Sequence, residues 1–140
     1  MSMTLLADIN WLAVLIAAAA WFVFGAAWYM APPIARRWQQ AGGIDVPEDA
    51  SPDPKVFVLT FVAYVVAATV TAALAVSTAV SSTVEGAALG LLVGVGYALT
   101  AAAVSAIYDQ KPDPIGWFWI NGVFNTLGLT LVGAIIGAFS

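Results

Sequence analysis

Residues 84–107 read VEGAALGLLVGVGYALTAAAVSAI, an apolar stretch whose single charged residue, Glu85, stands at its start. At about 1.5 Å rise per residue, a helix of this length crosses the roughly 30 Å hydrocarbon core of a bilayer. Three further stretches have the same character: Ile9–Ala31, Val56–Val80 and Ile115–Phe139. The sequence therefore predicts an all-α integral membrane protein, an up-down-up-down four-helix bundle.

The composition supports this fold class and excludes several functions. Hydrophobic residues make up 62% of the chain and charged residues 9%, against roughly 25% charged in a typical soluble domain. The chain has no Cys and no His, which removes disulfides, thiol chemistry, the common zinc and haem sites and the usual general base. We expect one transmembrane domain over residues 1–140, with no catalytic residues, no metal, no cofactor and no nucleic-acid partner.

The basic residues predict how the chain is oriented. Arg36, Arg37 and Lys55 lie in the segment 32–55 between the first two spans, and Lys111 lies between the last two. The positive-inside rule places both segments in the cytoplasm. The prediction is a multi-pass protein of the cell (inner) membrane with both termini extracytoplasmic.

Acidic or hydroxyl side chains mark all four helix starts, and Asp8 precedes the first span. Asp53-Pro54 and Asp113-Pro114 combine an acceptor side chain with a proline at the first helical position. Ser82 and Glu85 form a capping box before the third span, which explains Glu85 without a functional role.

The tripeptide Pro-Asp-Pro occurs at Pro52–Pro54 and again at Pro112–Pro114, each time before an even-numbered span. The chain thus reads as two helical hairpins, which could form a parallel repeat with a pseudo-two-fold axis along the membrane normal. The alternative is that Pro and Asp are simply good helix starters, and both interpretations stay open.

A small residue occupies every fourth position of the third span. These residues are Gly86, Gly90, Gly94, Ala98, Ala102 and Ala106. Such a seam lets helix backbones touch, which drives association where lipid competes for apolar side chains. Because the Ser81–Thr83 connection is short, we expect this seam to face a similar stripe on the second span.

The matching stripe and one further stripe lie on the even-numbered spans. They are Ala63, Ala67, Thr71, Ala75 and Ala79 on the second span, and Gly122, Thr126, Gly133 and Gly137 on the fourth. The fourth-span stripe needs a partner of its own, either the first span or another subunit.

Two amides are the most polar residues within a span. Asn121 and Asn125 lie one turn apart, and their hydrogen-bonding groups cannot face lipid unpaired. Candidate partners along a polar lining are Tyr64, Tyr97 and Thr100. The lining either fixes helix register by hydrogen bonds or forms a solute path.

The segment after the first span predicts a short amphipathic turn in the headgroup region. Arg36 and Arg37 would meet lipid phosphates there, with Trp38 at the interface. With Trp11, Trp28, Trp117 and Trp119 at span ends, the tryptophans have the distribution of an aromatic belt.

A recurring pattern runs through three parts of the chain. They are the segment Gly25–Pro33 with its Trp28-Tyr29 pair, the following Arg36-Arg37-Trp38, and the Gly-rich last span with Asn121 and Asn125. It resembles the small bacterial membrane proteins of domain of unknown function family 1761. The resemblance implies about four spans over nearly the whole chain, and it supplies no activity and no site residues.

Three functions compete on this sequence. The first is a non-enzymatic protein acting by helix–helix association, as a homo-oligomer or as an accessory subunit of a membrane complex. The second is a small passive channel or transporter for a neutral solute. Proton-coupled export is disfavoured because no acidic residue lies deep inside a span. The third, a membrane enzyme, would rely on Asp109, Lys111 and Asp113, whose turn and capping roles already explain them.

Overall fold

The computed structural model describes residues 3–140 and contains five α-helices after a short 3-10 turn at Met3–Ala7. They are α1 (Trp11–Met30), α2 (Pro32–Gly42), α3 (Pro54–Ser77), α4 (Thr83–Tyr108) and α5 (Pro114–Ala138). All but α2 are long and apolar enough to cross a membrane. The predicted four-span, all-helical architecture is confirmed, and residues 3–140 contain no strand.

The predicted helix caps are present. Asp53 accepts from the Lys55 N–H at 2.9 Å, Ser82 from the Glu85 N–H at 3.2 Å, and Asp113 from the Gly116 N–H at 3.0 Å. The Glu85 carboxylate accepts the backbone N–H of Ser81 at 2.7 Å, which completes the capping box. The first span begins instead at Asn10, whose side chain accepts the Ala13 N–H at 3.1 Å.

Helix α5 is the centre of the bundle and contacts all four other helices. It runs antiparallel to α1, because Tyr29 near the end of α1 bonds Asn121 near the start of α5. It is also antiparallel to α4, since Gly86 and Gly133 meet. The up-down-up-down order is therefore confirmed, and both basic loops lie at one end of the bundle.

The predicted pairing of the second and third spans is wrong. The glycine seam of α4 faces α5: a Cβ added at Gly86 would overlap the carbonyl oxygen of Gly133, and one at Gly90 would overlap that of Leu129. Close backbone contact requires small residues on both helices. Helix α5 supplies them with Gly133 and Gly137, whereas the stripe predicted on α3 consists mainly of alanines, which carry Cβ atoms.

A π-helical turn at Gly94–Leu99 interrupts α4. Residues spaced by four drift about 40° per step around an α-helix, so a straight α4 would carry the end of its seam away from α5. The wider π turn opposes this drift. Ala102 lies 3.5 Å from the position of a Cβ at Gly122, and Ala106 is buried, so the seam keeps facing α5.

Helices α3 and α4 diverge after the turn that joins them. No Cα atom of α3 comes within 8 Å of a Cα atom in residues 94–108. Helix α3 packs mainly on α1, and α4 packs on α5. Each hairpin is thus packed within itself, and α1, α2 and α3 join the two hairpins through their contacts with α5. The contacts of the two halves differ, and the internal repeat stays a prediction.

Helix α2 is short and docks against the end of the bundle that carries the basic loops. Its first turn is Pro32-Pro33, and Gly43 ends it in the left-handed conformation at φ 63°. Ala41 is buried, and its carbonyl accepts the Asp113 N–H at 3.1 Å. The predicted amphipathic turn therefore exists, fixed to the loop before α5.

Candidate functional site

The two intramembrane amides lie in a hydrogen-bond chain along α5. Tyr29 Oη donates to Asn121 Oδ1 at 2.6 Å, joining α1 to α5. Asn121 Nδ2 donates to the Trp117 carbonyl at 2.9 Å, and Asn125 Nδ2 donates to the Asn121 carbonyl at 2.9 Å. Asn121 therefore fixes the register of α1 and α5, as expected of a polar group that has no water to bond.

Rings from four helices pack around this bond. The aromatic cluster comprises Trp21, Phe24, Trp28, Tyr29, Trp38, Tyr64, Trp117 and Phe124. At its α2 end, Trp38 stacks on Trp117 with ring centroids 5.7 Å apart, and Lys111 Nζ lies 4.5 Å above the Trp117 ring. The cluster thus joins a basic loop to the middle of the bundle through continuous ring contacts.

The inner end of the aromatic cluster is densely packed. Trp21 is 4% exposed and stacks on Tyr64 at 4.1 Å between ring centroids. Its indole presses on Gly128, where an added Cβ would overlap the ring. The indole N–H groups of Trp21 and Trp28 are buried and find no hydrogen-bond acceptor among the described residues. Both rings act through packing.

This packing corrects part of the predicted aromatic belt. Trp11 and Trp119 are exposed and suit the interface, whereas Trp28, Trp38 and Trp117 are half-buried within the aromatic cluster. A tryptophan at the end of a span can lie at the membrane interface or pack inside the bundle, and the composition of the span does not distinguish the two locations.

The five residues predicted to form one polar lining are not brought together. Asn121, Asn125 and Tyr64 are half-buried inside the bundle, whereas Tyr97 and Thr100 lie on the outer side of α4. Thr100 Oγ1 donates to the carbonyls of Gly96 at 2.8 Å and of Tyr97 at 3.0 Å. Its role is local, because these carbonyls belong to the π turn.

The outer face of α4 differs in chemistry from that of α3. Exposed residues along α3 are mostly large and aliphatic: Val56, Val58, Leu59, Val62, Val66 and Val70. Helix α4 also exposes aliphatic side chains, such as Leu92 and Val95, but its middle adds exposed Gly96, Tyr97 and Thr100, which we call the α4 patch. A Cβ added at Gly96 would meet no atom within 4 Å. The α3 face suits lipid chains, and the α4 patch offers an open backbone beside a phenol.

Of the three side chains predicted to meet lipid headgroups, two face outward and one packs inside the bundle. Arg36 and Arg37 are exposed on α2. Trp38 turns inward to Trp117 and Tyr29. The residues 3–140 contain no group of three His, Cys, Asp or Glu side chains that could hold a metal ion.

Two features of the site were missed from sequence. The contact between Tyr29 and Asn121 joins residues 92 positions apart, and no spacing rule links them. The one sequence feature that Tyr29 and Asn121 share is that both belong to the pattern on which the family resemblance rests. The π turn had no signal in the sequence beyond Gly94 and Gly96.

Neither a curated protein nor a solved structure matches the chain. The model of the family described as Protein of unknown function (DUF1761) matches residues 12–137, nearly the whole chain. The resemblance seen in the sequence is confirmed, and the chain belongs to the DUF1761 family.

Proposed function

We propose that this multi-pass membrane protein is non-enzymatic and acts by association, with the α4 patch as the surface that meets another transmembrane chain. The partner is a second copy or a subunit of a membrane complex. Four helices are long and apolar enough to cross a membrane, where another transmembrane chain could meet them. The exposed residues of α4 are the reason that we choose this surface.

The carrying observation is Tyr97. It stands near the middle of α4, is 76% exposed, and its hydroxyl makes no hydrogen bond to any described residue. Hydrocarbon offers no acceptor, and a hydroxyl left unpaired there costs free energy. A neighbouring helix that supplies an acceptor removes this cost.

Two further features of the α4 patch favour a helix as its partner. Gly96 leaves the backbone open to close approach, as small residues do at transmembrane interfaces. The π turn spans both residues, and such turns occur frequently at functional sites.

The surface proposed here differs from the one that the sequence suggested. Gly122, Gly133 and Gly137 on α5 were candidates for a contact with another chain. All three are buried within the chain, chiefly against α4. The α5 stripe is therefore an internal seam, and the proposal rests on the opposite side of α4.

Photo-crosslinking in intact cells tests the proposed surface. A benzoylphenylalanine at position 97 should give a covalent protein adduct, and the same group at Val62 on the aliphatic face of α3 should react mainly with lipid. Mass spectrometry of the adduct identifies the partner as a second copy or another subunit. Equal protein adducts from both positions would count against a specific surface on α4.

A passive route for a neutral solute is the second candidate, and one observation favours it. The side-chain oxygen of half-buried Asn125 accepts no hydrogen bond from the described residues, although its amide nitrogen is bonded. Liposome swelling in glycerol would reveal such a route. A rate that Asn125→Leu lowers, together with a monomeric protein, would favour transport over association.

A further inference from the structure

A cavity of about 180 Å³ opens at the end of the bundle where α1 begins and α3 and α5 end. Its floor is apolar and comes from three residues of α3, the loop after it, and α5: Ala72, Ala75, Val76, Val80, Ile136 and Phe139. Polar groups of Asp8, Asn10 and Ser140 form its rim. The arrangement combines an apolar floor with a carboxylate at the mouth.

No basic side chain among residues 3–140 lies at this end of the bundle. The Asp8 carboxylate accepts no hydrogen bond and forms no ion pair among the described residues. All four Lys and Arg residues lie at the opposite end, on α2, in the first turn of α3 or in the loop before α5: Arg36, Arg37, Lys55 and Lys111.

The other two rim side chains already form hydrogen bonds. The Asn10 side chain accepts the Ala13 N–H at the start of α1, and the Ser140 hydroxyl donates to the Ile136 carbonyl at 2.8 Å. Asp8 is the charged side chain on the rim and is therefore the group that would bind a cation. The cavity volume equals that of about six water molecules in the liquid, so an occupant of about six heavy atoms would fill it.

We propose that this cavity binds a short primary alkylammonium ion, with the ammonium on Asp8 and the alkyl chain on the apolar floor. The charge of Asp8 selects a cation, the floor selects an aliphatic body, and the volume matches a short chain. The occupant is a small free amine, and this site is separate from the α4 patch.

Calorimetric titration of the purified protein in uncharged maltoside micelles tests the assignment with n-pentylammonium chloride. We expect saturable binding, and we expect Asp8→Asn to weaken it about tenfold through loss of a charge-assisted hydrogen bond. Asp49→Asn in the exposed linker is the matched control and should bind as the wild type does. Binding of n-pentanol with equal affinity, or unchanged binding by Asp8→Asn, would overturn the proposal.

A second pair of variants locates the site independently of charge. Val76→Phe enlarges a lining residue and should reduce binding, whereas Val66→Phe alters the same helix outside the cavity and should not. Equal binding by both variants would place the amine elsewhere and contradict the assignment. Displacement of pentylammonium by equimolar phosphatidylethanolamine would make a lipid headgroup the occupant and would likewise overturn it.

Discussion

Gly86 of α4 and Gly133 of α5 pack backbone against backbone. A Cβ added at either glycine would overlap the carbonyl oxygen of the other. This reciprocal contact makes α4–α5 the tightest helix pair in the bundle. Close contacts between carbonyl oxygens and Cα atoms are typical of glycine-based helix interfaces. The contact also explains why the α5 glycines are not available to another chain.

Gly86→Ala should destabilise the fold by about 1 to 3 kcal/mol, because the added methyl group forces α4 and α5 apart. Gly96→Ala is the matched control on the same helix, since its Cβ would enter open space. We expect that control to change stability by less than about 1 kcal/mol. Reversible unfolding in mixed micelles measures both, and equal losses would contradict the assigned seam.

Tyr29→Phe should cost about 0.6 to 1.7 kcal/mol, from the average to the maximum that double-mutant cycles give for hydrogen bonds between transmembrane helices. Tyr108→Phe, which alters an exposed tyrosine, should be neutral. A double-mutant cycle of Tyr29→Phe with Asn121→Leu isolates the pair. A coupling energy near zero in that cycle would show that the hydroxyl and the amide do not stabilise each other.

Trp38→Ala should loosen the docking of α2, because it removes the stacking on Trp117 and the edge contact with Tyr29. Aromatic pairs contribute about 0.5 to 1.5 kcal/mol beyond burial, so amide exchange in Pro32–Gly42 should accelerate about twofold to tenfold. Exposed Trp119→Ala serves as the control. Unchanged exchange in α2 would mean that other contacts hold it.

The orientation predicted from the basic loops is accessible to cysteine labelling, since the chain contains no native Cys. An impermeant maleimide should label Ser140→Cys in intact cells and should not label Gln40→Cys until the membrane is opened. Labelling of Gln40→Cys alone would reverse the orientation and leave the packing unaffected.

The length of the apolar stretches and the capping residues sufficed to predict the spans, because both are local properties of the chain. The choice of helix partners was not predictable in the same way: the short Ser81–Thr83 turn suggested that α4 packs along α3, yet the seam follows the glycines of α5. Seams on three spans offer several pairings of similar composition, and only the fit of both surfaces selects one.

The candidate site was predictable only in its parts. Asn121 and Tyr97 stood out as polar residues in apolar spans, but the sequence grouped them on one lining. The structure places Asn121 inside against Tyr29 and exposes Tyr97 on α4. Tyr97 lies within the π turn, so the face on which it stands depends on that turn, which the spacing of small residues does not reveal.

Native mass determination of the protein in lipid nanodiscs tests the proposed association most directly. The wild type should carry more than one transmembrane chain, and Tyr97→Phe should dissociate about threefold to twentyfold more readily, as loss of about 0.6 to 1.7 kcal/mol implies. Val62→Leu on α3 should leave the mass distribution unchanged. A wild-type protein that is a single chain with no co-purifying subunit would contradict the account.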